Sequence, residues 1–143
     1  MPRSQAPRTQ SRPPGAISPG GPLALDHVQV AAPPGCEAAA RAFYGELLGL
    51  AEREKPAVLR DRGGAWFALA GGTALHVGVV ESGFAPAAKA HPALRTQDER
   101  DLRTLAERLG RAGAPVSWQE PLPGVTARFF TEDPWGNRLE LLC

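Results

Sequence analysis

Hydrophobic and polar positions alternate over residues 23–30, with Val28 and Val30 on one face and His27 and Gln29 on the other, which predicts a β-strand. Residues 37–48 instead repeat their large apolar positions at helical spacing, and they end before Gly49, a residue suited to a helix C-terminus. Short apolar runs between glycine turns predict three more strands, at residues 57–60, 65–70 and 73–80. The first half of the chain therefore predicts the order βαβββ.

The second half of the chain repeats this order. Residues 90–96 predict a short strand, and Asp98 is a good N-cap for a helix whose first turn contains Asp101. Apolar side chains then form one helical stripe, namely Leu102, Leu105, Ala106 and Leu109. Gly113 ends this helix 64 residues after Gly49. Three strands complete the repeat, at residues 116–118, 127–131 and 138–142, and a turn over residues 133–137 joins the last two.

All three histidines of the chain fit the same repeat. His27 and His91 are 64 residues apart, and His76 and Glu140 are also 64 apart. An apolar residue follows each of the four, so one strand face can pack on a helix while the other carries the polar side chain into a concave cavity. Imidazole and carboxylate groups together suit a divalent transition metal. A two-fold repeat can bring four such groups to one point.

The first 22 residues differ from the rest in composition. They are rich in Pro, Ser, Gln, Gly and Arg and have almost no large apolar side chain, which predicts a disordered tail. This tail holds three of the 16 basic residues and none of the 15 acidic ones, so residues 23–143 carry a net charge of −2. That balance argues against a nucleic-acid-binding body. The chain length fits one domain, predicted at residues 23–143.

The lengths of the apolar runs and the number of cysteines indicate the cellular compartment. No apolar run has the length of a secretory signal or of a membrane span. Cys36 and Cys143 form neither a disulfide framework nor a CxxC pair. These features predict a cytoplasmic protein that does not bind membranes.

Four motifs give the chain a resemblance to the vicinal oxygen chelate superfamily, the group of glyoxalases, bleomycin-resistance proteins and extradiol dioxygenases. They are LDHVQV at 25–30, FYGELLGL at 43–50, TALHVGVV at 73–80 and FFTEDPWGNRLELL at 129–142. The resemblance implies an α+β fold of two tandem βαβββ modules, here residues 23–81 and 90–143, which form an open barrel-like cup. It also implies a homodimer, and metal ligands on the first and last strands of each module, which are His27, His76, His91 and Glu140.

The resemblance implies a small metal-dependent lyase or isomerase of the glyoxalase type, which binds its substrate through two adjacent oxygens. The metal is one divalent ion of Fe, Ni, Co, Mn or Zn, and the donor types do not choose among them. Glu140, which shares its strand face with Arg138, is the candidate catalytic base. Gln29, Arg128 and Arg138 are candidates for orienting a small-molecule substrate, with solvated rim residues as the alternative. The proline after His91 places this histidine at the start or edge of its strand.

Two alternatives stay open at this point. One is a metal-free protein that binds a drug or metabolite, in which the histidines only form hydrogen bonds. The other is a dioxygenase or thiol transferase on the same cup. The repeat also leaves open whether one chain supplies all four ligands or two chains share them.

Overall fold

The computed structural model describes residues 23–143. The predicted disordered tail, residues 1–22, lies outside the described residues. Within the described part, every helix is too short or too polar to span a bilayer.

The first module forms a four-stranded mixed sheet with the strand order β1-β4-β3-β2. β1 pairs parallel with β4, and the other two pairings are antiparallel. Its elements are β1 (His27–Ala32), a helix α1 that starts as Glu37–Ala40 and continues as a π-helix over Arg41–Leu47, β2 (Glu52–Arg53), β3 (Ala65–Ala68) and β4 (Ala74–Val79).

The second module repeats this topology with the strand order β5-β8-β7-β6. Its elements are β5 (Ala93–Arg95), α2 (Glu99–Arg111), β6 (Ser117–Gln119), β7 (Arg128–Glu132) and β8 (Arg138–Leu142). The Asp98 carboxylate accepts a hydrogen bond from the Asp101 N–H at 2.8 Å, which satisfies one free donor of the first helical turn. Each helix and strand lies about 64 residues from its counterpart in the first module. The predicted fold class, α+β with two tandem βαβββ modules, is confirmed.

One predicted strand is wrong. Residues 57–60 belong to a 3₁₀-helix, Ala57–Arg62, and Glu52–Arg53 forms the strand next to β3 instead. Val58 is 85% exposed, so the apolar run at this position has no buried face on which a strand could pack. β5 begins at Ala93, so His91 lies just before the strand, in line with the effect expected from Pro92.

A buried polar joint connects the two modules. The hydroxyl of Tyr44, on α1, donates to Oδ2 of Asp133 at 2.8 Å. The Asn137 side-chain amide donates to the same oxygen at 2.8 Å and to the Ala31 carbonyl, on β1, at 2.7 Å. Backbone N–H groups of Trp135 and Asn137 donate to Oδ1. The turn before β8 is thus fixed against α1 and β1 of the first module.

We expect Tyr44→Phe to destabilise the protein by about 1–3 kcal/mol, because a buried carboxylate loses a donor. Burial and the neighbouring Asp133 raise the pKa of Tyr44 well above its ordinary value. Since the unfolded tyrosine ionises near pH ~10, wild-type stability should be intact below that pH and fall by about 1.4 kcal/mol per unit above it. Urea unfolding from pH 7 to 11 measures both effects, and absorbance at alkaline pH reports ionisation of the chain's one tyrosine.

The Tyr44→Phe variant is its own control for the alkaline effect, because it lacks the titrating group. Its stability should fall less steeply above pH ~10 than that of the wild type. Ionisation of the tyrosine in the native protein at its ordinary pKa would contradict the buried joint.

Candidate functional site

The first module places His27 and His76 side by side. The register pairs Gln29 with His76, and His27 lies two residues earlier on the same face of β1. The two imidazole rings stack with centroids 4.3 Å apart. On its other face His76 stacks against Trp66 at 3.8 Å, with an angle of 2° between the ring planes. His76 is therefore held between two rings, which fixes its ring plane.

The surroundings of these two histidines favour metal-binding forms. The Asp26 carboxylate lies 2.7 Å from His27 Nδ1, so Nδ1 donates the hydrogen bond, and Nε2 is the nitrogen left to face a metal ion. This hydrogen bond holds the pKa of Asp26 below its ordinary value. Burial, followed by the neighbouring His27, lowers the pKa of His76, which favours the neutral imidazole. A carboxylate behind a ligating histidine is a common way to orient it. The sequence pattern did not single out Asp26, although it directly precedes His27.

The second module brings His91 and Glu140 together. The Lys89 carbonyl lies 2.8 Å from His91 Nδ1, so this nitrogen donates, and Nε2 faces Glu140 Oε2 at 3.3 Å. The lone pairs on His91 Nε2 and on the carboxylate oxygen would repel each other at this distance unless a proton or a cation lay between them. Two ligand atoms bound to one ion at about 2.1 Å and at right angles lie about 3 Å apart. The spacing of this pair therefore fits a shared metal ion.

Arg128 holds the other carboxylate oxygen of Glu140. Its guanidinium donates to Oε1 at 2.9 Å and also to the Glu120 carbonyl at 2.9 Å. Burial acts to raise the pKa of Glu140, but the hydrogen bonds from Arg128 and His91 outweigh it, so the pKa lies below the ordinary value. Glu140 is thus a carboxylate at neutral pH. Arg128 contacts Glu140 here, and the predicted role in orienting substrate stays a prediction.

Within one chain the four predicted ligands form two separate pairs. Residues 23–143 contain no group of three or more histidine, cysteine or acidic side chains that could hold a metal ion. The stacked rings of His27 and His76 also keep their lone pairs in nearly parallel planes. Both can reach one ion only if a ring turns, and His27, with a side chain 44% exposed, has the room to do so.

The other two predicted substrate-orienting residues have free polar groups on the same strand faces. The amide of Gln29 lies against Gly78, where an added Cβ would come within 2.7 Å of its Nε2. The guanidinium of Arg138 lies 5.1 Å from the centre of the Phe130 ring. Neither side chain has a hydrogen bond to another of the described residues. Both stay candidates for substrate contact.

The aromatic pairs on the middle strands divide between the two faces of their sheets. Trp66 and Phe130 lie on the ligand faces, where Phe130 contacts the His91 ring edge-on at 5.2 Å. Phe67 and Phe129 are fully buried in the core. Each ligand pair therefore has one aromatic wall.

Comparison with known proteins identifies relatives of the whole described region. Residues 24–141 match the model of the Glyoxalase/Bleomycin resistance protein/Dioxygenase superfamily. A glyoxalase family protein from Bacillus anthracis is 44% identical, with a TM-score of 0.74, over 84% of this chain and 93% of that one. No curated protein matches the chain.

Two more distant structures share the fold. A glyoxalase/dioxygenase from Nostoc punctiforme is 23% identical, with a TM-score of 0.70, over 90% of this chain and 95% of that one. Lactoylglutathione lyase from Agrobacterium tumefaciens is 22% identical, with a TM-score of 0.63, over 85% of this chain and 93% of that one. At these identities the likeness concerns the fold alone.

We expect Asp26→Ala to weaken the binding of a divalent ion such as Zn²⁺ about tenfold, because His27 loses the carboxylate that orients its ring. Calorimetric titration of the metal-free protein measures this change. Asp61→Ala removes an exposed carboxylate of the 3₁₀-helix Ala57–Arg62, which carries none of the histidines, and should leave the affinity unchanged. Equal losses in the two variants would show a general charge effect and contradict the orienting role.

Proposed function

Because the chain belongs to the glyoxalase/bleomycin resistance protein/dioxygenase superfamily, we propose that it is a metal-dependent enzyme of the glyoxalase type. It acts as a lyase or isomerase on a small substrate that chelates the metal through two adjacent oxygens, and residues 23–143 form the enzyme domain. The observation that carries the proposal is the pair formed by His91 Nε2 and Glu140 Oε2, 3.3 Å apart. The other donor atom of each side chain already has a partner: His91 Nδ1 is bonded to the Lys89 carbonyl, and Glu140 Oε1 is bonded to Arg128.

The proposed metal site is shared between two copies of the chain. Each chain presents two pairs of donors, and the pairs do not meet within residues 23–143. A symmetric homodimer can place His27 and His76 of one protomer opposite His91 and Glu140 of its partner, and it then contains two equivalent sites. Three imidazoles and one carboxylate suit Fe, Ni, Co, Mn or Zn and leave positions for substrate oxygens.

The residues around the proposed site have separate tasks. When bound, the metal would supply Lewis-acid stabilisation of negative charge on the substrate oxygens. Glu140, a carboxylate at neutral pH, would accept a proton from the substrate and return it after its Oε2 is released from the metal, since Oε1 is bonded to Arg128. Arg128 keeps the Glu140 carboxylate in place through Oε1. The free amide of Gln29 and the free guanidinium of Arg138 orient the polar ends of the substrate.

We expect the purified protein to contain about one divalent transition metal ion per chain, and the double variant His27→Ala/Glu140→Ala to contain none. Losing two of four ligands should remove the metal because the remaining pair cannot compete with water and buffer for the ion. Inductively coupled plasma mass spectrometry measures the content. Arg62→Ala, an exposed site on the 3₁₀-helix, is the control and should retain the metal.

The same experiment distinguishes a metal-dependent enzyme from the alternative, a metal-free binding protein. A wild-type protein that takes up no metal, even after incubation with each of the five ions, would overturn the enzymatic proposal. A metal-free binding protein of the bleomycin-resistance kind would then be the better account.

Coexpression of two inactive variants tests the shared site. We expect His27→Ala/His76→Ala and His91→Ala/Glu140→Ala each to bind no metal alone. A mixed dimer should recover one site per dimer, because the intact halves of its two chains meet at one interface. Metal content of the mixed dimer, purified with two different affinity tags, is the measurement. No recovery, with dimers present, would show that each site is built within one chain.

A further inference from the structure

The two-fold repeat gives the chain two equivalent joints between its modules, and a buried polar network crosses only one of them. This joint is called the sealed joint below, and a smaller cleft of about 360 Å³ lies beside it. At the sealed joint Tyr44 is fully buried and bonded to Asp133, beside Asn137. The residues 64 positions away in the repeat are different in kind. Tyr44 corresponds to the exposed Arg108, whereas Asp133 and Asn137 correspond to Leu69 and Thr73. The second joint therefore lacks both the large ring and the polar network.

A cleft of about 550 Å³ lies at this second joint. Its volume falls within the range of small-molecule sites. Leu48 and Leu50, which follow α1, lie on one side, and Leu105 of α2 and Leu94 of β5 lie on the other. The walls are mainly aliphatic, which suits a hydrocarbon chain rather than a polar metabolite.

One charged side chain lines the cleft. Arg95, at the end of β5, is exposed and forms no ion pair or side-chain hydrogen bond with another of the described residues. A single free guanidinium beside an aliphatic cleft is complementary to a molecule with an apolar body and one anionic end. A carboxylate matches the two parallel donors of the guanidinium.

The cleft is separate from the metal-binding pairs. It is lined by Val28 and Leu141, which directly follow His27 and Glu140 and point to the opposite face of their strands. A molecule in the cleft would therefore lie behind the strands that carry the proposed ligands. Its binding requires neither a metal nor a substrate.

We propose that this cleft binds a medium-chain aliphatic carboxylate, with the chain against the leucines and the carboxylate on Arg95. The probe is decanoate below its micellar concentration, titrated by calorimetry into the full-length, metal-free protein. Decyltrimethylammonium, with the same chain and a cationic end, should bind at least tenfold more weakly, because Arg95 repels it.

Two variants test the charged end and the aliphatic part of the cleft separately. Arg95→Gln should weaken decanoate binding about three- to tenfold through loss of the charged hydrogen bonds. Ala70→Trp places a large side chain at an exposed position lining the cleft and should abolish binding while the protein stays folded. The matched controls are Arg62→Gln, another exposed arginine, and Ala112→Trp, an exposed alanine beside the sealed joint, and both should bind like the wild type.

Two results would overturn the proposal. The first is no decanoate binding to the wild type, and the second is equal binding of decanoate and the cationic probe. If the first result came with a change from dimer to monomer in Ala70→Trp by analytical ultracentrifugation, a second copy of the chain would be the occupant of the cleft. Metal content is not a readout here, so failure of the proposed metal site would leave this test intact.

Discussion

The buried carboxylate of Asp133 is the constraint on which the arrangement of the two modules depends. A carboxylate removed from water costs several kcal/mol unless hydrogen-bond donors replace the solvent. Asp133 accepts from the Tyr44 hydroxyl, the Asn137 amide and two backbone N–H groups. The tyrosine belongs to the first module and the other donors to the second, so the carboxylate is satisfied only when the modules are docked. The strand that carries Glu140 begins at Arg138, directly after this turn, and its position is therefore set by the same contacts.

Strand register and one neighbouring side chain position each pair of predicted ligands. Pairing of β1 with β4 sets His27 beside His76, and Trp66 then fixes the plane of the second ring. In the other module, pairing of β5 with β8 sets His91 beside Glu140, which Arg128 holds from behind. Both pairs are thus oriented by the sheet and by one neighbouring side chain. The two pairs are separate within residues 23–143. In the homodimer proposed above, two chains would complete the four-ligand site, and metal binding and dimerisation would be linked events.

The sequence predicted what depends on local pattern. The alternation of faces placed His27, His76 and Glu140 next to residues that pack in or against the core, namely Val28, Val77 and Leu141. Pro92, which follows His91, is not part of that core. The offset of 64 identified the equivalent strands. The predicted strand at residues 57–60 was wrong because an apolar run alone does not show whether a core lies beside it. The Asp133 joint was interpreted as turn chemistry only, since its partner Tyr44 is 89 residues away and no local pattern reports such a contact. Whether the four ligands meet is likewise a matter of module docking, which strand periodicity cannot predict.

The asymmetry of the two joints follows from the energetics of docking two rigid modules. Once one joint is closed by a fully satisfied polar network, the relative position of the modules is fixed, and sealing the equivalent joint adds little further constraint. Leu69 and Thr73 can then replace a carboxylate and an amide without exposing an unpaired buried charge. The aliphatic side chains at this second joint then lack packing partners, so dispersion contacts are lost there. A ligand with a hydrocarbon chain recovers that contact energy without any rearrangement of the fold, because the sealed joint keeps the modules in place. The stability provided at one joint is therefore what allows the other joint to serve as a binding site.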